Sequence, residues 1–145
     1  MRLVVIDLIP ALLSWEGRDR SADPEIAPDG PEAVAHLYSH YRVMGLADAG
    51  VAGETLRRSL EAAGIAEYFE SIGTSAGFGP EVTPRIVRRI GRMARAKEGV
   101  IVVTGRPRLA RAISRSRTGV VFTNQEEFGA VPEAVASLIA GRVSP

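Results

Sequence analysis

A few side chains in this sequence have the type and position to do chemistry. Asp7 closes a wholly apolar run, residues 3–6, so a carboxylate is delivered from the end of a strand. A carboxylate held there can attack a phosphoryl group or ligate a cation. Asp48 follows a second apolar run, residues 43–47, and is placed to give the same cation a second oxygen ligand. Thr104, Gly105 and Arg106 follow a third run, residues 99–103. They bring a hydroxyl, free backbone N–H groups and a guanidinium, the parts of a turn that holds an anion without metal. Arg106 and Arg108 suit phosphate or carboxylate recognition in particular. The bland alternatives are a strand-end carboxylate that caps the next turn and a surface turn whose arginines are solvated.

Other groupings promise less. His36 and His40 stand four apart on one helix, the spacing of a two-histidine zinc face. No Glu lies between them and no third ligand is evident, so the expectation is two solvated rings. Residues 80–117 carry eleven basic side chains against two acidic ones, a local +9. The rest has seven against fifteen, or −8. Such polarity can draw an anionic partner or a second copy of the chain, or simply mark two solvated helices. No aromatic interleaves with the stripe Arg85, Arg88, Arg89, Arg92 and Arg95, which argues against nucleic acid for want of a stacking platform. Trp15 stands just past the Asp7 turn, and the sequence leaves open whether it lids that turn, docks on a partner or covers the sheet edge.

These residues must be positioned by five strands that alternate with helices. The strands are residues 3–6, 43–47, a weak one entered through 68–72, 99–103 and 119–122. Pro31 opens the first long helix, with Val34, Leu37, Tyr38 and Tyr41 as its buried face. A helix over 54–63 turns Leu56, Leu60 and Ala63 inward and stops at Gly64. Thr83-Pro84 starts a helix whose core stripe is Ile86, Val87, Ile90 and Met93. A short helix is predicted from Leu109 and a last one from Pro132. Short connections and strict alternation predict an α/β fold, a three-layer α/β/α sandwich on a parallel sheet of about five strands, Rossmann-like. Residues 14–30, rich in Pro and polar groups, are expected to form an excursion loop.

Composition sets the bounds. With 145 residues, 46% hydrophobic and 24% charged, one globular domain over 1–145 is expected. The absence of cysteine excludes disulfides and thiolate metal sites. No run approaches a membrane span and no secretory leader is visible, so a cytoplasmic location is expected. Oligomeric state is left open.

The same residues carry a resemblance. The haloacid dehalogenase-like (HAD) hydrolases follow their first strand with Asp-x-Asp-Gly-Thr-Leu, and Asp7 matches the first Asp of that motif. Ile9, Pro10 and Ala11 stand where the second Asp, the Gly and the Thr belong. Residues 60–69 resemble the helix-and-turn before the third strand of that family. Ser75 to Gly79 with Thr83-Pro84-Arg85-Ile86 resembles its S-x-x-x-G and K-P stretch, Val102-Val103-Thr104 its V-G-D strand, and Ala130-Val131-Pro132 its closing helix. The likeness covers nearly the whole chain and implies a capless HAD-like domain, with 14–30 in place of a cap. It also implies a chemistry: an Asp nucleophile, a second Asp as acid, a hydroxyl and a Lys on the phosphate, and acidic residues completing a magnesium site. Of these only Asp7 is kept. Ile9 cannot move a proton, Asp48 stands where a hydroxyl is expected, residues 79–84 hold no lysine, and Thr104-Gly105-Arg106 replaces the metal-binding acid. Val103 to Pro107 also resembles the T-G-R-P of another HAD branch, but there it follows the second strand and here the fourth. The resemblance therefore implies a scaffold that has lost phosphatase activity, binds a small anion or a protein partner, and needs no cofactor. The alternative is a weak phosphatase with Asp7 as nucleophile and Mg²⁺ on Asp7 and Asp48 or on groups of 14–30.

Overall fold

The computed structural model describes residues 1–143 apart from 18 and 117. The opening run forms β1 (Leu3–Asp7), buried on both faces, followed by a short helical turn, α1 (Leu8–Ala11). Residues 14–30 are not wholly loop. β2 (Leu13–Ser14) and β3 (Glu25–Ile26) pair antiparallel as a small ribbon. Asp23 beside the ribbon is held to the next layer by Arg58 at 2.7 and 2.9 Å. Trp15 turns into this excursion: its Nε1 donates to the Ala22 carbonyl at 2.7 Å and Arg20 lies over its ring at 4.6 Å.

The chain then runs through α2 (Gly30–His40), β4 (Arg42–Ala47), α3 (Gly53–Ala62), β5 (Ser71–Thr74), α4 (Pro84–Met93), β6 (Val100–Thr104), α5 (Pro107–Ser114), β7 (Gly119–Phe122) and α6 (Val131–Val143). β5, β4, β1, β6 and β7 lie side by side in that order, every neighbour parallel. The α/β architecture expected from the alternation is therefore present, a parallel sheet between helical layers. Successive residues of β1 point to opposite faces and build two cores. Val4 and Ile6 pack with Val34, Leu37, Leu56, Leu60, Val131 and Val135, so α2, α3 and α6 cover that face. Leu3 and Val5 pack with Ile86, Val87, Leu109 and Ile113 under α4 and α5. The chain winds from β1 outward to β5 on the first face, then crosses back to β6 and outward to β7 on the second. Right-handed crossovers require this change of face when the direction of travel reverses.

Several expected details shift. Tyr38 is half exposed and leans on Tyr68, ring centroids 5.0 Å apart, because α2 is buried through Gly30, Ala33, Val34 and Leu37. Met93 is 68% exposed, since in the last turn of α4 it is Gly91, not Met93, that turns onto the sheet. α5 begins at Pro107 rather than Leu109, its fixed φ suiting a first helical position. No described helix is long and apolar enough to cross a membrane.

Candidate functional site

Strand order makes the site. β1 and β6 are neighbours, and the direction of winding reverses between them, which opens a crevice at their carboxyl ends. Asp7 is the last residue of β1 and Thr104 the last of β6. Asp48 lies just past the end of β4, on the other side of β1. Three of the residues singled out from sequence thus arrive at one edge, and Arg106 closes over them.

Arg106 holds Asp7 with two prongs, Nε to Oδ2 at 2.8 Å and Nη2 to Oδ1 at 3.0 Å. Its Nη1 donates to Asp48 Oδ2 at 2.7 Å. The Thr104 hydroxyl donates to Asp7 Oδ2 at 2.8 Å and accepts the backbone N–H of Arg106 at 3.1 Å. The other oxygen of Asp48 accepts the N–H of Val82 at 2.8 Å, which ties the site to the approach of α4. Gly105 keeps this turn close to its neighbours: a Cβ there would stand 3.2 Å from the Thr123 carbonyl and 3.4 Å from the Ala11 nitrogen.

This geometry redirects two expectations. Asp7 does not cap the turn after it; its side chain makes no capping bond to α1 and is spent on Arg106 and Thr104. The Arg106 guanidinium, expected to face an external anion, faces the protein's own carboxylates, because β1 lies between β4 and β6 and brings both within its reach. Asp7 is 1% exposed, and burial pushes its carboxyl above the ordinary range, with Arg106 and Thr104 pulling it back and nearby Asp48 adding to the rise. Burial works against the charge of Arg106, but its two carboxylates outweigh it and hold the guanidinium above its ordinary value.

The other candidates stay apart. His36 and His40 stack on each other, centroids 5.1 Å apart, on the exposed side of α2. Among the described residues no group of three or more His, Cys, Asp or Glu is placed to hold a metal. Sequence reasoning missed the Val82 N–H, a backbone donor that side-chain type cannot reveal. It also missed a cleft of about 510 Å³ beside Arg106, bounded by Thr83, Pro84, Pro107 and Arg108 where α4 and α5 begin.

No family model and no curated protein matches the sequence. Solved structures do match. A haloacid dehalogenase-like family hydrolase from Xanthomonas campestris superposes with a TM-score of 0.67 at 17% identity, over 84% of this chain and 59% of that one. A HAD-superfamily hydrolase from Ehrlichia chaffeensis gives 0.63 at 13% identity, over 96% and 99%. The fold is HAD-like. This chain spans little more than half the length of the Xanthomonas protein. HAD hydrolases generally use Mg²⁺, an ion that demands close oxygen ligands in near-octahedral array. Here Asp7 and Asp48 spend three oxygens on a guanidinium and the fourth on a backbone N–H. A dication would have to displace a cation of the same sign already bound to both. As arranged, the residues do not fit the metal.

Proposed function

We propose that this HAD-like chain has given up phosphoryl transfer and serves in the cytoplasm as a binding or interaction module, for a small anion or a protein partner. A single observation carries the reading: Arg106 is forked onto Asp7 and Asp48. A nucleophile must be free to meet its electrophile, and both oxygens of Asp7 are taken. Ile9 adds a second reason, because an alkyl side chain two residues on cannot protonate a leaving group. Preorganised charge is the largest contributor to most catalysis, and removing even one such group costs roughly 10²–10³ in rate. On this reading Asp7 and Arg106 are a structural ion pair, and a ligand at this edge would meet Arg108 and the starts of α4 and α5 around the cleft.

The test is turnover. Incubated at high concentration with Mg²⁺ and p-nitrophenyl phosphate, the protein is expected to release no more product than buffer, and Asp7→Asn no less than the parent. Magnesium-dependent release that disappears in Asp7→Asn would reject the module and establish the phosphatase alternative.

A further inference from the structure

At the opposite end of the sheet, a groove of about 520 Å³ lies between the C-terminal half of α4 and the start of β6. Its walls carry Arg88, Arg92, Arg95 and Lys97, and its floor is Gly91 and Val100. Among the described residues no carboxylate lines it. All four cations are exposed, and none forms an ion pair among the described residues. Glu98, the adjacent acid, is taken by the N-terminal ammonium at 2.9 Å. The floor is tight: a Cβ on Gly91 would stand 2.8 Å from Val100 Cγ2, so this glycine lets the helix settle on the strand between the cations.

Two features of the groove work against the fold. Arg88 and Arg92 stand four apart on α4, so like charges face each other along one side of the helix, and Arg95 just past its end lines the same groove. Arg95 follows the C-cap Ala94 with φ +55°, a left-handed conformation that glycine adopts freely and other residues resist. Attraction to the helix C-terminus accounts for cations at Arg92 and Arg95. It does not account for Arg88, nor for an arginine where a glycine would end the helix without strain. A bound polyanion would relieve the repulsion and give the strained arginine a partner.

We propose that this groove binds a ligand carrying several phosphate groups. Four cations call for a multiply charged ligand, guanidinium forks match phosphate oxygens in pairs, and the volume lies within the range of small-molecule sites. The site is separate from the carboxyl edge and stands whether or not any catalysis survives there.

Titration calorimetry with inorganic tripolyphosphate at low ionic strength tests it. Saturable binding that weakens steeply with added salt is expected. Arg92→Glu should lower the affinity roughly tenfold or more, whereas Arg57→Glu, the same charge change at an exposed position of α3 in the other layer, should leave it within about twofold. Arg95→Gly should raise Tm and yet bind more weakly, a split that a purely structural arginine would not give. Absence of saturable binding, equal losses from Arg92→Glu and Arg57→Glu, undiminished binding by Arg95→Gly, or inorganic phosphate binding as tightly as tripolyphosphate would each overturn the proposal.

Discussion

An arginine set between two carboxylates changes what each of them can do. Asp7 sits in a dry place where an unpartnered charge is expensive, and Arg106 is what makes it tolerable. Removing one member of a buried pair costs roughly 3–5 kcal/mol, and the partial exposure of Arg106 points to about 3 kcal/mol for Arg106→Ala at neutral pH. The sign of its pH dependence follows from the surroundings of Asp7. Burial raises the carboxyl and Arg106 lowers it, so the variant raises the folded-state pKa further while the unfolded value stays near ~3.9. A raised folded value favours the fold below the unfolded pKa and withdraws that contribution as pH climbs through the folded one. Urea denaturation should therefore show a small penalty for Arg106→Ala near about pH 4 that grows toward about pH 7. A penalty that is flat, or larger in acid, would contradict the assignment. At this scale sequence identified Asp7, Asp48, Thr104 and Arg106 but not their pairing. Arg106 lies 99 positions from Asp7 and 58 from Asp48, and only strand order brings them together.

Elements place these residues through their ends. α4 starts at Thr83-Pro84, where the threonine hydroxyl accepts the Ile86 N–H at 3.3 Å. The residue before it, Val82, sends its N–H to Asp48. Thr83→Ala should cost about 1 kcal/mol in chemical denaturation, and Thr83→Ser should restore most of it because the accepting oxygen is kept. Equal stability of the alanine and serine variants would count against the cap. The strands of the sheet were legible because burial on both faces demands unbroken apolar runs, as in residues 3–6 and 99–103. The β2–β3 ribbon was not, since two-residue strands in a polar stretch leave no periodic signal. Helical spacing likewise placed Tyr38 and Met93 on inward stripes, but spacing does not reveal which residues at the edge of a stripe the layer beneath reaches.

Across the whole molecule, the basic segment is the α4–β6–α5 side of the sandwich, and its Arg117 lies outside the described residues. That face carries the polyanion groove, while at the carboxyl edge Arg106 is already neutralised by Asp7 and Asp48. A likeness at 13–17% identity is plain in structure and leaves only short traces in sequence, such as Asp7 at the end of the first strand, because strand order and crossover hand persist after most side chains have changed.

The ionic clasp of Asp7, Asp48 and Arg106 also bears on kinetics. It joins three segments far apart along the chain, and contacts that close such long loops are made late in folding. Interactions absent from the transition state slow escape from the native state without hastening arrival. In stopped-flow measurements Arg106→Ala should steepen the decay of the native signal and leave the refolding limb almost where it was. The arginine would then act as a latch on the native state, fixing how long the molecule stays folded rather than how quickly it gets there.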